Sequence, residues 1–253
     1  MRSVNGMRAA RVATAAIFLI RTTPLANLLP TPLAHVRGPL LGWPEPGWNG
    51  AWWNLELPAS IQMFACIVRT IAAVAFFTGF RTRVSGVMAG LLGLVALSQN
   101  PFGFIFTLYT LFTGTVAIAL SDEPLIKRSP LRLVHALVIS IYAWSAIAKL
   151  TGAWLSGDTL RALAEDDLIS PWLSAQLSSH AALLTVSSYS VVAAELVIPV
   201  ALSFRKTRGL ALLGAVLFHL VLELAMHPDV MSGVIGALLL SFVGVDSRRR
   251  RAV

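Results

Sequence analysis

A repeated four-residue spacing gives this sequence its clearest chemical pattern. His219, Glu223 and His227 follow one another at that interval, so they share one face of a helix. A glutamate one turn from a histidine can hold the imidazole in one tautomer and raise its basicity, as a proton relay requires. The same side chains could instead be structural, with His219 hydrogen-bonded to a neighbouring helix and His227 in a loop. The spacing alone does not supply enough ligands for a metal ion, so we expect no metal site.

Lys149 is the second candidate for chemistry, at the end of an apolar stretch that also contains Tyr142. A lysine at the end of a membrane helix usually extends its amine to the lipid headgroups. Alternatively, the amine faces a partly apolar cavity, where desolvation favours the neutral form and makes it a usable base. The sequence does not decide between these two positions.

Three further ionisable residues, Glu195, Arg69 and Arg21, interrupt apolar stretches. Each such residue costs about 2.5 to 3.5 kcal/mol to insert into a membrane, and it usually faces a helix bundle or a polar cavity. At a rise of about 1.5 Å per residue, Glu195 and Arg69 fall near the middle of the bilayer. They either organise a functional cavity or form a structural ion pair.

The residues around these positions have the composition of a membrane protein. Of the 253 residues 56% are hydrophobic and only 13% are charged, and the mean hydropathy is +0.74. Soluble domains carry about a quarter charged residues, so a soluble globular protein and a disordered chain are both excluded. The single cysteine, Cys66, cannot form an intrachain disulfide.

We therefore predict an all-α fold, a polytopic membrane helix bundle that forms one domain over 1–253. Helices need about 20 apolar residues to cross the hydrocarbon core, and about eight stretches qualify. The first also resembles a signal peptide, but no convincing cleavage site follows it, so we favour a retained helix. The predicted spans are 8–29, 59–80, 84–99, 102–120, 131–150, 183–203, 208–226 and 230–245.

The basic residues predict the orientation of these spans. Fifteen of the 20 lysines and arginines fall at the termini and in every second loop, so both termini and the loops after spans two, four and six should be cytoplasmic. The formal charge of +8 is then a topology signal, and we expect no nucleic-acid partner. The basic tail 246–253 should meet anionic lipid. The fifteen residues are Arg2, Arg8, Arg11, Arg81, Arg83, Lys127, Arg128, Arg132, Arg205, Lys206, Arg208 and Arg248 to Arg251.

Two long loops, 30–58 and 151–182, should lie on the outer side, and they hold six of the seven tryptophans. These tryptophans either form an interfacial belt or contribute to an ordered cap over a cavity. Trp154 lies in the second loop. That loop also contains two amphipathic pieces, 158–164 and 171–177, which we predict to be short helices at the membrane surface.

Three segments together resemble the HTTM domain, the membrane domain shared with vitamin K-dependent gamma-carboxylase. The most specific is 142–160, which runs from an aromatic and small-residue stretch through Lys149 to tryptophan and glycine. Residues 194–199 with 218–220 are similar to the family's acidic helix and Phe-His helix, and 79–83 is similar to its turn after the second span. In size and layout the chain resembles small bacterial members of the sporulation-delaying protein B group, which are associated with maturation of a peptide toxin.

The resemblance implies roles for individual residues. Lys149 occupies the position of the lysine proposed in the carboxylase to deprotonate vitamin K hydroquinone, and His219 matches a histidine of the same membrane site. Glu195 falls at an acidic position. The implied cofactor is therefore a lipophilic quinol. The carboxylase also has a large lumenal domain that binds propeptide and substrate, whereas this chain ends just after its last predicted span, so we do not transfer glutamate carboxylation of a propeptide-tagged protein.

The leading hypothesis is a carboxylase-like enzyme of the bacterial inner (plasma) membrane with an outward-facing cavity, modifying a peptide or small substrate. Lys149 would be the base, and His219 with Glu223 would relay or donate a proton. Residues proposed to line the cavity or bind substrate are Glu195, Arg69, Arg21, Trp154, Tyr142 and His227.

Two alternatives remain. One is a non-enzymatic membrane partner in maturation, export or immunity for a secreted peptide, with loop 30–58 as its binding surface. The other is a proton-coupled transporter that uses Glu195 and His219, although we find neither the broken helices nor the repeats typical of transporters.

Overall fold

The computed structural model describes residues 2–22, 57–98, 106–121, 130–166, 168–226 and 231–243. In these ranges all regular structure is helical, which confirms the predicted all-α class. The helices are α1 Arg2–Thr22, α2 Ala59–Thr78, α3 Thr82–Ser98, α4 Phe106–Ser121, α5 Pro130–Lys149, α6 Gly152–Leu155, α7 Asp158–Glu165, α8 Pro171–Ser179, α9 Ala181–Ser203, α10 Arg208–Met226 and α11 Met231–Leu239, followed by a short 3₁₀ helix, Leu240–Phe242.

Each predicted span overlaps one of these helices, and the two short amphipathic pieces predicted to be helical are present as α7 and α8. The four-residue helix α6 was not predicted, because its length is too short to carry a periodic pattern. The end of the first predicted span, 23–29, lies outside the described residues, as does most of the outer loop 30–58.

Contacts divide the chain into two compact units, Met1–His135 with Asp229–Val253, and Ala136–Pro228. In the first unit, α1 packs against α2, α4 and α11, and α3 packs between α2 and α4. Glycines on α3 allow the close approach: a Cβ at Gly90 would lie 2.5 Å from Val116 of α4. Small residues at a helix surface let neighbouring helices pack closely in this way.

In the second unit, α9 packs along α10, and the short helices α6, α7 and α8 pack against α9. Gly157 adopts a φ of 90° between α6 and α7. A Cβ at this glycine would lie 2.7 Å from the Cβ of Leu184, so the turn needs glycine for its backbone conformation and for its closeness to α9.

Among the described residues, three helices are long and apolar enough to cross a membrane: Ser60–Thr78, Ala182–Ser203 and Arg208–Met226. Their large apolar side chains are widely exposed, for example Leu210 at 75% and Phe64 at 67%. Apolar surface on this scale is unfavourable in water but matches hydrocarbon. The chain is therefore an integral membrane protein.

Candidate functional site

The side chain of Lys149 turns back along its own helix. Its Nζ donates to both carboxylate oxygens of Glu195, at 2.8 Å and 2.9 Å. It also donates to the hydroxyl of Ser145, one helical turn earlier, and to the Ser145 carbonyl oxygen at 3.4 Å. The amine therefore lies against Glu195 and Ser145, on the side of the helix that faces α9.

The geometry of α5 favours this direction. Helical side chains lean towards the N-terminus of their helix, so the Lys149 stem starts towards Ser145 and away from the helix end. The four-carbon stem then carries the amine to Glu195 on α9, and 21% of the lysine side chain remains exposed.

Glu195 sits in the middle of α9, and only 8% of its side chain is exposed. Its Oε1 atom also accepts a hydrogen bond from the hydroxyl of Ser145 at 2.8 Å. A carboxylate offers about four acceptor positions. Three are filled by contacts from Ser145 and Lys149, so within the described part of the chain one acceptor position remains for a ligand.

Ser145 is a site residue that the sequence analysis missed. It contacts both members of the ion pair and lies four residues before Lys149. The spacing could have indicated it, because residues four apart share a helix face. Serine is nevertheless common in membrane helices, where it usually bonds to its own backbone, so the residue type alone gave no signal.

Trp154 covers the amine of Lys149. The lysine Nζ lies 5.4 Å from the centroid of the indole ring, within the range of a cation–π interaction. The indole Nε1 lies 3.4 Å from the carbonyl oxygen of Ser188 on α9, to which it donates. The sequence named Trp154 as a cavity residue, and the structure brings it to Lys149.

The helices that carry Trp154 have a small hydrophobic core of their own. We call residues 151–179, which contain α6, α7 and α8, the cap. Two hydrogen bonds tie the cap to the long helices: the hydroxyl of Thr185 donates to the carbonyl of Ser156 at 3.0 Å, and the amide of Ser170 donates to the carbonyl of Ala225 at 2.7 Å. The buried core consists of Leu160, Ile169, Leu177 and Leu184, with Trp154, Leu163, Ala164, Leu173 and Met226 packed around it.

A second polar contact lies deeper along the same helix. The hydroxyl of Tyr142 and Nε2 of His219 on α10 are 2.8 Å apart. Tyr142 precedes Ser145 by three residues and Lys149 by seven, so all three lie on one face of α5. The structure thus joins two residues that the sequence had placed in the same candidate cavity.

The remaining predicted site residues have different surroundings. Glu223 lies one turn from His219 on α10 and is half-buried. His227 lies outside the described residues. Arg69 and Arg21 belong to the first unit and are both buried, and Nη2 of Arg69 donates to the carbonyl of Thr22 at 3.2 Å. Arg69 also lines a small cavity between α2 and α3 with Gln62, Cys66, Leu92 and Ala96.

This arrangement is suited to holding and moving protons. Lys149 is a donor in each contact, whereas Glu195 is an acceptor, and Tyr142 with His219 forms a second pair between which one proton can be exchanged. The described residues contain no cluster of three or more histidine, cysteine, aspartate or glutamate side chains that could hold a metal ion.

Comparison with known proteins bears on this part of the chain. The chain has no detectable match among curated proteins or solved structures. Residues 124–242 match the family model of the HTTM domain, and the matched range includes Tyr142, Lys149, Glu195 and His219. The chain is thus similar to the HTTM domain over this range, which is slightly less than half of its length.

Proposed function

We propose that this protein is a membrane enzyme, related in chemistry to vitamin K-dependent gamma-carboxylase, whose Lys149 and Glu195 side chains together take a proton from a lipophilic quinol. One observation carries the proposal: Lys149, although near a helix end, binds both oxygens of Glu195. Removing two charges from water costs several kcal/mol for each ion. A lysine that only anchors a helix avoids that cost, so the inward ion pair supports a functional role.

The donors and acceptors of the site fit a quinol. A quinol hydroxyl needs an acceptor, which Glu195 can provide, and its ring needs apolar surroundings, which the neighbouring helix faces provide. When bound, the quinol would supply two electrons, with dioxygen as the oxidant that accepts them, and it would be released as the quinone.

Lys149 and Glu195 would act as one unit. Within the pair, the ammonium of Lys149 would pass one proton to the carboxylate of Glu195, and the resulting neutral amine would take the proton of the quinol hydroxyl. Ser145 holds both groups in place through its hydroxyl. Tyr142 and His219, with Glu223 one turn away, would donate or relay a second proton. The substrate that the enzyme modifies would be a peptide or another small molecule at the plasma membrane.

Binding and turnover together test this proposal. We expect the protein, purified in mild detergent, to release a quinone into an organic extract analysed by mass spectrometry. In air-saturated proteoliposomes it should also consume added naphthoquinol. Lys149→Arg should reduce consumption by at least about 100-fold, because the guanidinium keeps the charge but does not act as a base at neutral pH.

Two results would contradict the enzyme. The first is a Lys149→Arg variant with full quinol consumption. The second is a co-purifying peptide with no bound quinone, which would favour the non-enzymatic partner. The predicted peptide-binding loop 30–58 lies almost wholly outside the described residues.

A further inference from the structure

Two turns of the chain share a residue pattern that the proposed enzyme does not use. Residues 80–83, Phe-Arg-Thr-Arg, join α2 to α3, and residues 204–208, Phe-Arg-Lys-Thr-Arg, join α9 to α10. In each turn a phenylalanine ends an apolar helix, and basic residues with a threonine follow it.

In the first turn, backbone hydrogen bonds close the end of α2. Gly79 has a φ of 90°, and its amide donates to the carbonyl of Ala75 at 3.0 Å. The amide of Phe80 donates to the same carbonyl at 2.8 Å, which resembles a Schellman-type helix end. The Phe80 ring is 66% exposed, and the guanidinium carbon of Arg81 lies 5.9 Å from its centroid. Arg81 and Arg83 are exposed beside it.

In the second turn, side chains close the end of α9. The hydroxyl of Thr207 donates to the carbonyl of Ala201 at 2.7 Å, and Nε of Arg208 donates to the carbonyl of Leu202 at 3.1 Å. These contacts use the last residues of the pattern. Phe204 is 61% exposed, and Arg205 and Lys206 are exposed beside it.

Each turn thus presents one exposed aromatic ring and two exposed cations. Such a combination is unusual in water, but it suits the boundary between acyl chains and headgroups, where rings enter the apolar layer and cations meet phosphate. The basic-residue pattern of the sequence assigns both turns to loops predicted to face the cytoplasm. The inner leaflet of a cell membrane is rich in anionic lipid.

We propose that the turns 80–83 and 204–208 are binding sites for anionic phospholipids. In each site the two exposed basic side chains would bind the phosphate of one lipid, and the phenylalanine would pack against the start of its acyl chains. Zwitterionic lipids would bind more weakly, because their headgroup carries its own cation beside the phosphate. The proposal does not depend on the activity of the Lys149 and Glu195 pair.

Native mass spectrometry of the purified full-length protein can measure this preference, with phosphatidylglycerol and phosphatidylcholine as probes. The variants are Arg81→Ser with Arg83→Ser, and Arg205→Ser with Lys206→Ser. Each basic residue near a membrane surface contributes an attraction that corresponds to about fivefold in affinity. Each double variant should therefore lower phosphatidylglycerol affinity at its own turn by about 25-fold, and phosphatidylcholine binding should change little.

Three controls make the result specific. Arg161→Ser removes an exposed arginine from α7 and should leave phosphatidylglycerol binding unchanged. Arg81→Lys with Arg83→Lys keeps the charge and should retain most of the binding. Phe80→Ala and Phe204→Ala should weaken phosphatidylglycerol binding without changing its dependence on salt, because screening acts on the charges and not on the ring.

The proposal is wrong if the serine variants bind phosphatidylglycerol as wild type does, or if Arg161→Ser weakens binding equally. It is also wrong if the lysine variant loses binding as fully as the serine variant, because charge would then not be the cause. Displacement of the lipid by millimolar inorganic phosphate would show a site for free anions and would likewise overturn it.

Discussion

The carboxylate of Glu195 holds the amine of Lys149 with both of its oxygens, across 46 residues of sequence. This contact joins α5 to α9 within the range that matches the HTTM family model, and it places two charged groups between apolar helices. Ser145 and Trp154 complete the surroundings of the amine.

The ion pair should protect Lys149 from chemical modification. In Glu195→Gln the amine loses its charged partner, so we expect faster acylation of Lys149 by a water-soluble amine reagent, measured by peptide mass spectrometry. Lys206, which is exposed in the turn after α9, provides the internal reference. The same variant should lower stability by about 1 to 3 kcal/mol, because the half-buried ammonium loses the opposite charge that it faces. Equal labelling of Lys149 in both proteins would show that the pair does not hold the amine.

Ser145 should act as a positioning residue for both members of the pair. Ser145→Ala should reduce quinol consumption about tenfold, because one hydrogen bond to a charged group contributes about 1.5 kcal/mol. Ser145→Thr keeps the hydroxyl and should restore most of the rate. Ser140→Ala, an exposed change on the same helix, is the matched control. A Thr variant as slow as the Ala variant would mean that side-chain volume matters there and the hydroxyl does not.

Tyr142 and His219 should function as a pair. Tyr142→Phe removes the hydroxyl that lies 2.8 Å from His219 Nε2, and we expect a slower rate with an unchanged KM for quinol. Adding His219→Gln should then cost little more, because the two residues act together. If each substitution lowers the rate independently, so that the effects multiply, the relay between them is contradicted.

The cap should be held by its own hydrophobic core. Leu177 is 2% exposed, and Leu177→Ala should destabilise the cap by about 2 to 5 kcal/mol, as other buried leucine truncations do. Limited proteolysis should then cleave residues 151–179 sooner than in wild type. Leu168→Ala provides the control, since Leu168 is 52% exposed. Equal cleavage of the two variants would show that this core does not stabilise the cap.

Apolar length was sufficient to predict the long helices, because in a membrane each backbone polar group must be satisfied within its own helix. The same rule does not specify which helices meet. The partner of His219 was therefore open in the sequence, and it is Tyr142 on another helix. From their spacing we predicted that Glu223 lies beside His219. Such spacing relates residues on the same helix and does not identify a partner on another helix.

The direction in which the Lys149 side chain points could not be predicted either, because it too depends on a residue of another helix. A lysine near a helix end can extend to headgroups or fold back, and the choice depends on whether an acceptor lies within reach. That acceptor is Glu195, on a helix that begins 32 residues later at Ala181. Family resemblance marked both residues as important, but the hydroxyl of Ser145 that links them became visible only through three-dimensional contacts.

The most direct test of the central claim is a double-mutant cycle on quinol consumption in proteoliposomes, with Lys149→Met, Glu195→Gln and the combined variant. If the two side chains act as one proton-accepting unit, each single variant should lose at least about 100-fold, and the double variant should be no slower than the worse single one. Full activity in either single variant, or losses that multiply in the double variant, would contradict the claim that Lys149 and Glu195 work together.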